Sequence, residues 1–480
     1  MSDSWVNSAE HVGSDLYVDL KAGMAGGGGR RAALGRALRE AIGDGRLAPG
    51  TRLPPYRSLA ADLGLARNTV AETYAELVAE GWLVARQGSG TRVAPRAEPV
   101  GPPRAPGPAP ARPEPPAHTL RQGLPDPASF PRTAWVAAAR RALNAAPHEA
   151  FGPGDPRGRP ELRRALAAYL SRARGVRTDP ERIVVCSGFA PALRLLFGGK
   201  VLRGPLAVES YGLPFHRSIL RAAHVRTAPL TLDEHGARTA ELFALKGVRA
   251  ALLTPAHQFP TGGPLHAERR AAAVDWARGG GGVLLEDDYD GEFRYDREPV
   301  GALQGLDPQR VVYLGSLSKS LSPALRLGWM VLPDHLVEPV LRVKGEREAW
   351  AGVTDQLTLA DFIESGHYDR HVRRTRQRYR DRRDRLVALL ARRAPHITLT
   401  GVAAGLHAVL GLPPGTERPV TEAAARERIA VDGLAGFRHP AATMPARDGL
   451  VVGYAAPPDH GFGAALDALC RILPPPPDGG

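Results

Sequence analysis

Lys319 ends the run Gly315-Ser316-Leu317-Ser318-Lys319, directly after the strand-like stretch Val311-Val312-Tyr313-Leu314, and Arg326 follows in the same segment. A second strand-like stretch starts at Val283 and ends in acids, Glu286-Asp287-Asp288-Tyr289-Asp290. A lysine amine can condense with an aldehyde to form a Schiff base. A carboxylate such as Asp287 can hold a pyridine-type nitrogen protonated, so that the ring draws electrons from whatever is attached to it. Tyr289 stands two residues past Asp287, hence on the same side of an extended chain, and could donate to a ring phenolate oxygen. The Arg326 guanidinium and the Ser316 and Ser318 hydroxyls suit a phosphate dianion. Taken singly, the acids could be a cation site or a solvated strand edge, the serines a polar loop and Lys319 a surface lysine. Their order and spacing make a single aldehyde- and phosphate-binding pocket the stronger reading.

A ring that carries an aldehyde, a phenolate oxygen, a pyridine nitrogen and a phosphate is pyridoxal 5'-phosphate (PLP), and the two segments look like its pocket. Three further stretches agree. Ser187-Gly188-Phe189-Ala190 follows the apolar run Ile183-Val184-Val185 and opens a helix, where the backbone amides of Gly188, Phe189 and Ala190 can bind phosphate whatever their side chains. His257-Gln258-Phe259-Pro260-Thr261-Gly262 follows a run ending at Leu253. Phe151-Gly152-Pro153-Gly154-Asp155, continued by Gly158 and Leu162-Arg163, completes the set. In this order the segments resemble fold-type I PLP enzymes. The resemblance makes Lys319 the Schiff-base residue and places His257 in the loop beside the ring. No metal is expected.

A different chemistry precedes this pocket. Leu53-Pro54-Pro55-Tyr56-Arg57-Ser58-Leu59-Ala60 is followed by Gly64-Leu65-Ala66-Arg67-Asn68-Thr69-Val70 and then by Gln87-Gly88-Ser89-Gly90-Thr91. The second helix of a helix-turn-helix presents side chains to base edges from its first turn, while neighbouring residues grip phosphates. Arginine can pair bidentately with guanine and asparagine with adenine, so Arg67, Asn68 and Thr69 suit major-groove reading. The bland alternative is a small helical domain whose arginines are solvated surface charges. The ordered arginines, the Gly64 turn and the glycine-rich wing favour DNA.

In order and spacing these motifs resemble the winged helix-turn-helix of the GntR regulators. With the PLP segments they cover nearly the whole chain, which is similar to the MocR subfamily, a GntR-type reader fused to an aminotransferase-like body. The resemblance implies phosphate contact by Arg57, groove contact by Arg67, Asn68 and Thr69, and a wing that brings Gln87 and Gly88 to the minor groove. Ala66 departs from a frequent capping serine, at a cost of about 1 kcal/mol. Ala71 replaces a basic residue that some members use on DNA. In the body, the usual ring-stacking tyrosine falls on Leu213, with Tyr211 and Phe215 as possible substitutes that spacing does not separate. Phe189 replaces a hydroxyl residue near the phosphate. The arginine with which aminotransferases clamp a substrate carboxylate falls on Val452, leaving Arg447 and Arg438 as candidates to reach.

The elements that must carry these residues are legible from periodicity. Leu34, Leu38 and Ile42 mark one buried helical stripe, Leu59 and Leu63 a short second helix, and Val70, Tyr74, Leu77 and Val78 a longer third. Trp82–Ala85 and Thr91–Val93 read as two wing strands. Between Pro95 and Pro116 stand ten prolines and almost no large hydrophobe, a composition that suits a semi-rigid polyproline II spacer. Three parts are therefore expected: a winged helix-turn-helix over 21–94, a proline-rich linker over 95–118, and a PLP-binding body over 119–480. In the body, apolar runs at Ile183–Cys186, Leu206–Val208, Ala250–Leu253, Val283–Leu285 and Val311–Leu314 alternate with amphipathic stretches such as 370–390. This predicts an α/β fold with a mostly parallel sheet, and the resemblance implies the large and small domains of fold type I.

At 480 residues and a formal charge of +13, the chain has room for a small and a large core and an encounter preference for polyanions. Its two cysteines, Cys186 and Cys470, argue against a disulfide framework and suit a reducing cytoplasm. Met1 to Gly13 lacks a basic region followed by an apolar stretch, so no signal peptide is expected, and no apolar run is long enough to suggest a membrane span. The resemblance implies a homodimeric, cytoplasmic transcriptional regulator that binds double-stranded operator DNA and senses PLP, or an amino acid or amine condensed onto it. Any aminotransferase activity would be vestigial or weak. The competing reading is a working PLP-dependent aminotransferase with an appended DNA-binding domain, which an intact carboxylate clamp would favour.

Overall fold

The computed structural model describes residues 29–86, 90–95, 114–295, 300–345 and 351–476. The chain divides into two compact units, Met1–Glu114 and Pro115–Gly480. Gln87 and Gly88, and residues 96–113 of the expected linker, lie outside the described residues.

The first unit is three helices and a two-stranded wing. Helix α1 (Arg30–Gly43) buries Leu34, Leu38 and Ile42, as their four-residue spacing predicts. Helices α2 (Tyr56–Asp62) and α3 (Arg67–Ala79) complete the core through Leu59, Val70, Tyr74 and Leu77. Strands β1 (Leu83–Arg86) and β2 (Gly90–Val93) pair antiparallel, with Leu83 opposite Val93 and both buried in the same core. Gly64 takes φ +62° at the turn between α2 and α3, a left-handed value that glycine adopts without strain.

The second unit is built on a seven-stranded sheet. Its strands are β3 (Ile183–Cys186), β4 (Leu206–Glu209), β5 (Thr227–Leu230), β6 (Ala250–Leu253), β7 (Val283–Asp287), β8 (Val311–Ser316) and β9 (Gly328–Val331), in the order β3-β9-β8-β7-β6-β4-β5. Only β9 runs antiparallel to its neighbours. The central strands read as continuous apolar runs because both faces are covered. Val283 and Leu285 pack with Val312 and Leu314 on one face, and Leu284 packs on the other. A smaller antiparallel sheet follows the long helix α5 (His367–Arg393) and contains β10 (Thr398–Thr400), β11 (His407–Gly411), β12 (Asp432–Gly433) and β13 (Gly449–Gly453), in the order β10-β11-β13-β12. Among the described residues no helix is long and apolar enough to cross a membrane.

In an open parallel sheet the crevice for ligands lies beyond the carboxyl ends of the strands. Here that edge collects Gly188 after β3, Glu209 at the end of β4, Thr254 after β6, Asp287 at the end of β7 and Ser316 at the end of β8. Segments far apart in sequence are thereby brought to one rim.

Candidate functional site

The rim encloses a cavity of about 270 Å³. Gly188, Phe189, Ala190, Asp287, Tyr289, Ser316, Ser318, Lys319 and Arg326 all line it, so nine of the ten cofactor residues expected from sequence converge. The tenth, His257, stands behind the wall: its Nδ1 lies 2.8 Å from Asp290 Oδ2 and 2.9 Å from the Tyr289 hydroxyl. It holds the phenol hydroxyl without itself lining the cavity.

Asp287 faces the cavity from the last position of β7, where alternation puts Glu286 on the other face of the sheet, accepting the Leu303 and Gln304 amides at 2.7 and 2.9 Å. Burial pushes the Asp287 carboxyl well above the usual carboxylate range, against the opposing pull of Lys319. A protonated ring nitrogen in the cavity would supply the counter-charge that lets this carboxyl ionise. Lys319 is lowered by burial, with Asp287 and Asp290 acting in the other direction, and its Nζ donates to the Gly123 carbonyl at 2.5 Å. Burial raises the Tyr289 phenol far above its ordinary value, which keeps it a hydrogen donor.

The end of the cavity expected to take a phosphate is made by close backbone approach. Gly188 precedes a short helix, α4 (Phe189–Leu193), with φ +108°. A Cβ at Gly328 would sit 2.7 Å from Gly188 Cα and 2.9 Å from the Gly315 carbonyl oxygen, so β9 can lie against this turn only with glycine. Arg326 has φ +52°, a left-handed conformation costly for arginine, and lines the same end of the cavity. The donor set thus fits PLP: amides, two hydroxyls and a guanidinium at one end, a buried carboxyl at the other and a lysine between.

Several residues of the site carry no role in the sequence reading. Glu209 lines the cavity, and burial raises its carboxyl to about 7 while Thr254 Oγ1 donates to it at 2.5 Å and Gln258 Nε2 at 3.2 Å. His216 lines it too, its ring 4.4 Å from that of Phe189, and is pushed down to about 3 by burial. Leu213, Tyr211 and Phe215 all reach the wall; Tyr211 is fully buried with a hydroxyl that meets no hydrogen-bond partner among the described residues, whereas Phe215 is exposed. Val452 is buried in the core on β13. Arg438 Nη2 is taken by the Ala442 and Met444 carbonyls, each at 2.7 Å, and the exposed Arg447 lies 6.0 Å from the Tyr211 ring.

Behind β7, Arg174 grips Asp288 through two bonds of 2.7 and 2.9 Å, and the Tyr313 hydroxyl adds a third at 2.7 Å. Removing one member of such a pair strands a buried charge. Asp288→Ala is expected to cost about 3–5 kcal/mol in a urea unfolding series of the body, because the Arg174 guanidinium has nowhere to go. A loss below about 1 kcal/mol would show that this pair does not anchor the acidic strand end.

In the first unit, Arg57, Arg67 and Asn68 are exposed and Thr69 is half-buried at the first turn of α3. The acids of α3 are turned away from that end: Glu72 and Glu76 pair with Arg31 at 3.1 and 2.9 Å, and Glu76 and Glu80 with Arg39 at 3.0 and 2.6 Å. The first turn therefore presents donors and positive charge without these carboxylates beside them. Ala66 is the residue before α3 and supplies no side-chain cap.

Residues 31–93 match the family of bacterial regulatory proteins, gntR family, and residues 122–443 match aminotransferase class I and II. The chain is 34% identical over 374 residues to the HTH-type pyridoxine biosynthesis transcriptional regulator PdxR of Corynebacterium glutamicum, covering 78% of this chain and 81% of that one. It is 33% identical over 440 residues to the probable rhizopine catabolism regulatory protein MocR of Rhizobium meliloti, covering 87% and 88%. The fold is similar to that of an archaeal alanine:glyoxylate aminotransferase, with a TM-score of 0.68 at 23% identity over 74% of this chain and 90% of that one. A gntR-type helix-turn-helix joined to a fold-type I aminotransferase body, in one chain aligned along most of its length with MocR itself, places this protein in the MocR subfamily of GntR transcriptional regulators.

Proposed function

We propose that this regulator binds operator DNA through its first unit, holds PLP in the cavity of its body, acts as a homodimer, and changes its DNA affinity when PLP, or an amine condensed with it, occupies that cavity. The carrying observation is the convergence of Lys319, Asp287, Tyr289 and Arg326 on one cavity, while the clamp position Val452 is sealed in the core. PLP, when bound, supplies an aldehyde that takes up amines and a ring that draws electrons.

The residues divide the work. Burial keeps a larger share of Lys319 in the neutral, nucleophilic form than a surface lysine has. Asp287 holds a proton at the ring nitrogen. Tyr289, oriented by His257 and Asp290, donates toward the ring oxygen. Gly188, Phe189, Ala190, Ser316, Ser318 and Arg326 receive the phosphate, and Val208, Leu252, Phe259 and Leu314 exclude water from the wall. An effector shifts the DNA-binding equilibrium only by as much as it prefers one arrangement of the protein over another. Binding to the DNA flanking its own gene, measured by fluorescence anisotropy with and without PLP, tests the reading: a changed affinity is expected, and an identical one in both states would remove PLP as the signal.

On the reader, Arg67→Ala is expected to cost about 1–3 kcal/mol on the operator and to relax preference at one base position. Arg57→Ala should weaken operator and random duplex alike and lower the salt slope by about one unit. If Arg67→Ala instead weakens both DNAs equally, Arg67 belongs with the phosphate contacts.

A further inference from the structure

We propose that the body carries its own contact for the phosphates of duplex DNA, in a cleft of about 340 Å³ lined by Arg294, Tyr295, Arg373, Arg376, Gln377 and Arg380. This rests on the reading of the chain as a DNA-binding protein, and assigns a second part of it to that partner.

Helix α5 is rich in arginine and sorts its arginines by face. Arg378 pairs with Asp126 at 2.5 Å and Asp459 at 2.9 Å, Arg382 with Asp459 at 2.6 Å, and Arg393 with Asp467 at 2.7 Å. Arg373, Arg376 and Arg380 follow one another at three- and four-residue steps, hence along one stripe, and none has a carboxylate at ion-pair distance among the described residues. Arg376 spends only Nε, on the Glu292 carbonyl at 2.8 Å, and Arg380 only Nη2, on the Tyr295 carbonyl. Arg373 makes no hydrogen bond among the described residues. The other donors of these three guanidiniums therefore line the cleft without acceptors among the described residues. Guanidinium forks match phosphate oxygens bidentately. The stripe from Arg373 to Arg380 is about 10 Å long at 1.5 Å per residue, exposed Arg370 continues the charge ahead of it, and exposed Arg374 lies to its side. A single small anion would use part of that length, whereas a polymer backbone uses all of it.

The test is the salt dependence of binding between the full-length protein and sheared genomic duplex DNA. Removing one phosphate-binding charge lowers the slope of log K against log salt by about 0.9. Arg373→Ala should lower it by that amount, and Arg373→Ala with Arg376→Ala by about twice as much. Arg418→Ala removes the same charge from an exposed arginine on the helix Glu417–Arg426 and should leave the slope alone. Arg57→Ala separates the two readings, since a failed reader assignment would leave the slope unchanged there while Arg373→Ala still lowers it. An unchanged slope in Arg373→Ala, whose side chain makes no hydrogen bond or ion pair among the described residues, would overturn the proposal. So would an equal fall in Arg418→Ala. Calorimetric binding of inorganic pyrophosphate that is abolished in Arg373→Ala while the DNA slope stays the same would also overturn it, assigning the cleft to small anions.

Discussion

Lys319→Ala is expected to purify colourless and the unaltered protein yellow with bound PLP, and borohydride should fix the cofactor to Lys319 and to no other residue. The effect is all or nothing because covalent attachment needs one amine at one place. Lys319 reaches the cavity between Asp287 and the phosphate end, its Nζ held by the Gly123 carbonyl. The other buried lysine among the described residues, Lys344, is committed elsewhere: it donates to the Val185 carbonyl at 2.7 Å and also to the Pro156 carbonyl. A peptide map that finds the reduced cofactor on Lys344, or a coloured Lys319→Ala protein with a covalent adduct, would sink the assignment. Asp287→Asn separates attachment from electronics. It should still be labelled at Lys319, hold the cofactor less firmly and absorb at a shifted wavelength, because the ring nitrogen loses its counter-charge. An unchanged spectrum there would give the nitrogen another partner.

Much of this pocket is legible in the sequence because strands constrain it. A parallel strand buried on both faces must be apolar until it ends, so the acids after Leu285 and the serines after Leu314 mark the carboxyl rim where a ligand can sit. The alternation of side chains then separates Asp287 from Glu286. The buried stripe of α1 is equally plain, since Leu34, Leu38 and Ile42 repeat at the helical period. What spacing does not carry is contact between distant segments. Gly123 is 196 residues from the amine it holds, and Glu209 meets Thr254 across 45. Asp290 is visible as part of the acidic run, but only the fold turns it toward His257, and with it turns His257 from a wall residue into a support for Tyr289. The stacking position is a similar case. Tyr211, Leu213 and Phe215 all reach the cavity, but Tyr211 is buried on a bridge to Arg438 whereas Phe215 is exposed in the first turn of the helix Pro214–Ala222, a difference the residue types do not carry.

The second large expected result is a protein that binds PLP well and turns over amino acids poorly. Lys319, Asp287, Tyr289 and Arg326, the residues proposed to hold the cofactor, line one cavity, so occupancy and spectral change with added amines should survive. Sustained amino-group transfer asks for more. The donor's carboxylate must be gripped so that its Cα–H bond stays aligned for proton removal, and small misplacements of that kind cost orders of magnitude in rate. Val452 is packed among apolar side chains where the grip would come from, Arg438 is committed to two backbone carbonyls, and Leu213 offers no aromatic face to fix the ring. A steady-state assay across amino donors should therefore find at most a single slow half-reaction per protein, far below about 1 per second, the lower end of ordinary enzyme rates. DNA affinity should respond to the same amines that change the spectrum, because the proposed signal is occupation of the cavity and not product formation. Multiple turnovers at about 1 per second or faster, with DNA binding indifferent to PLP, would make this chain an aminotransferase that happens to sit on DNA.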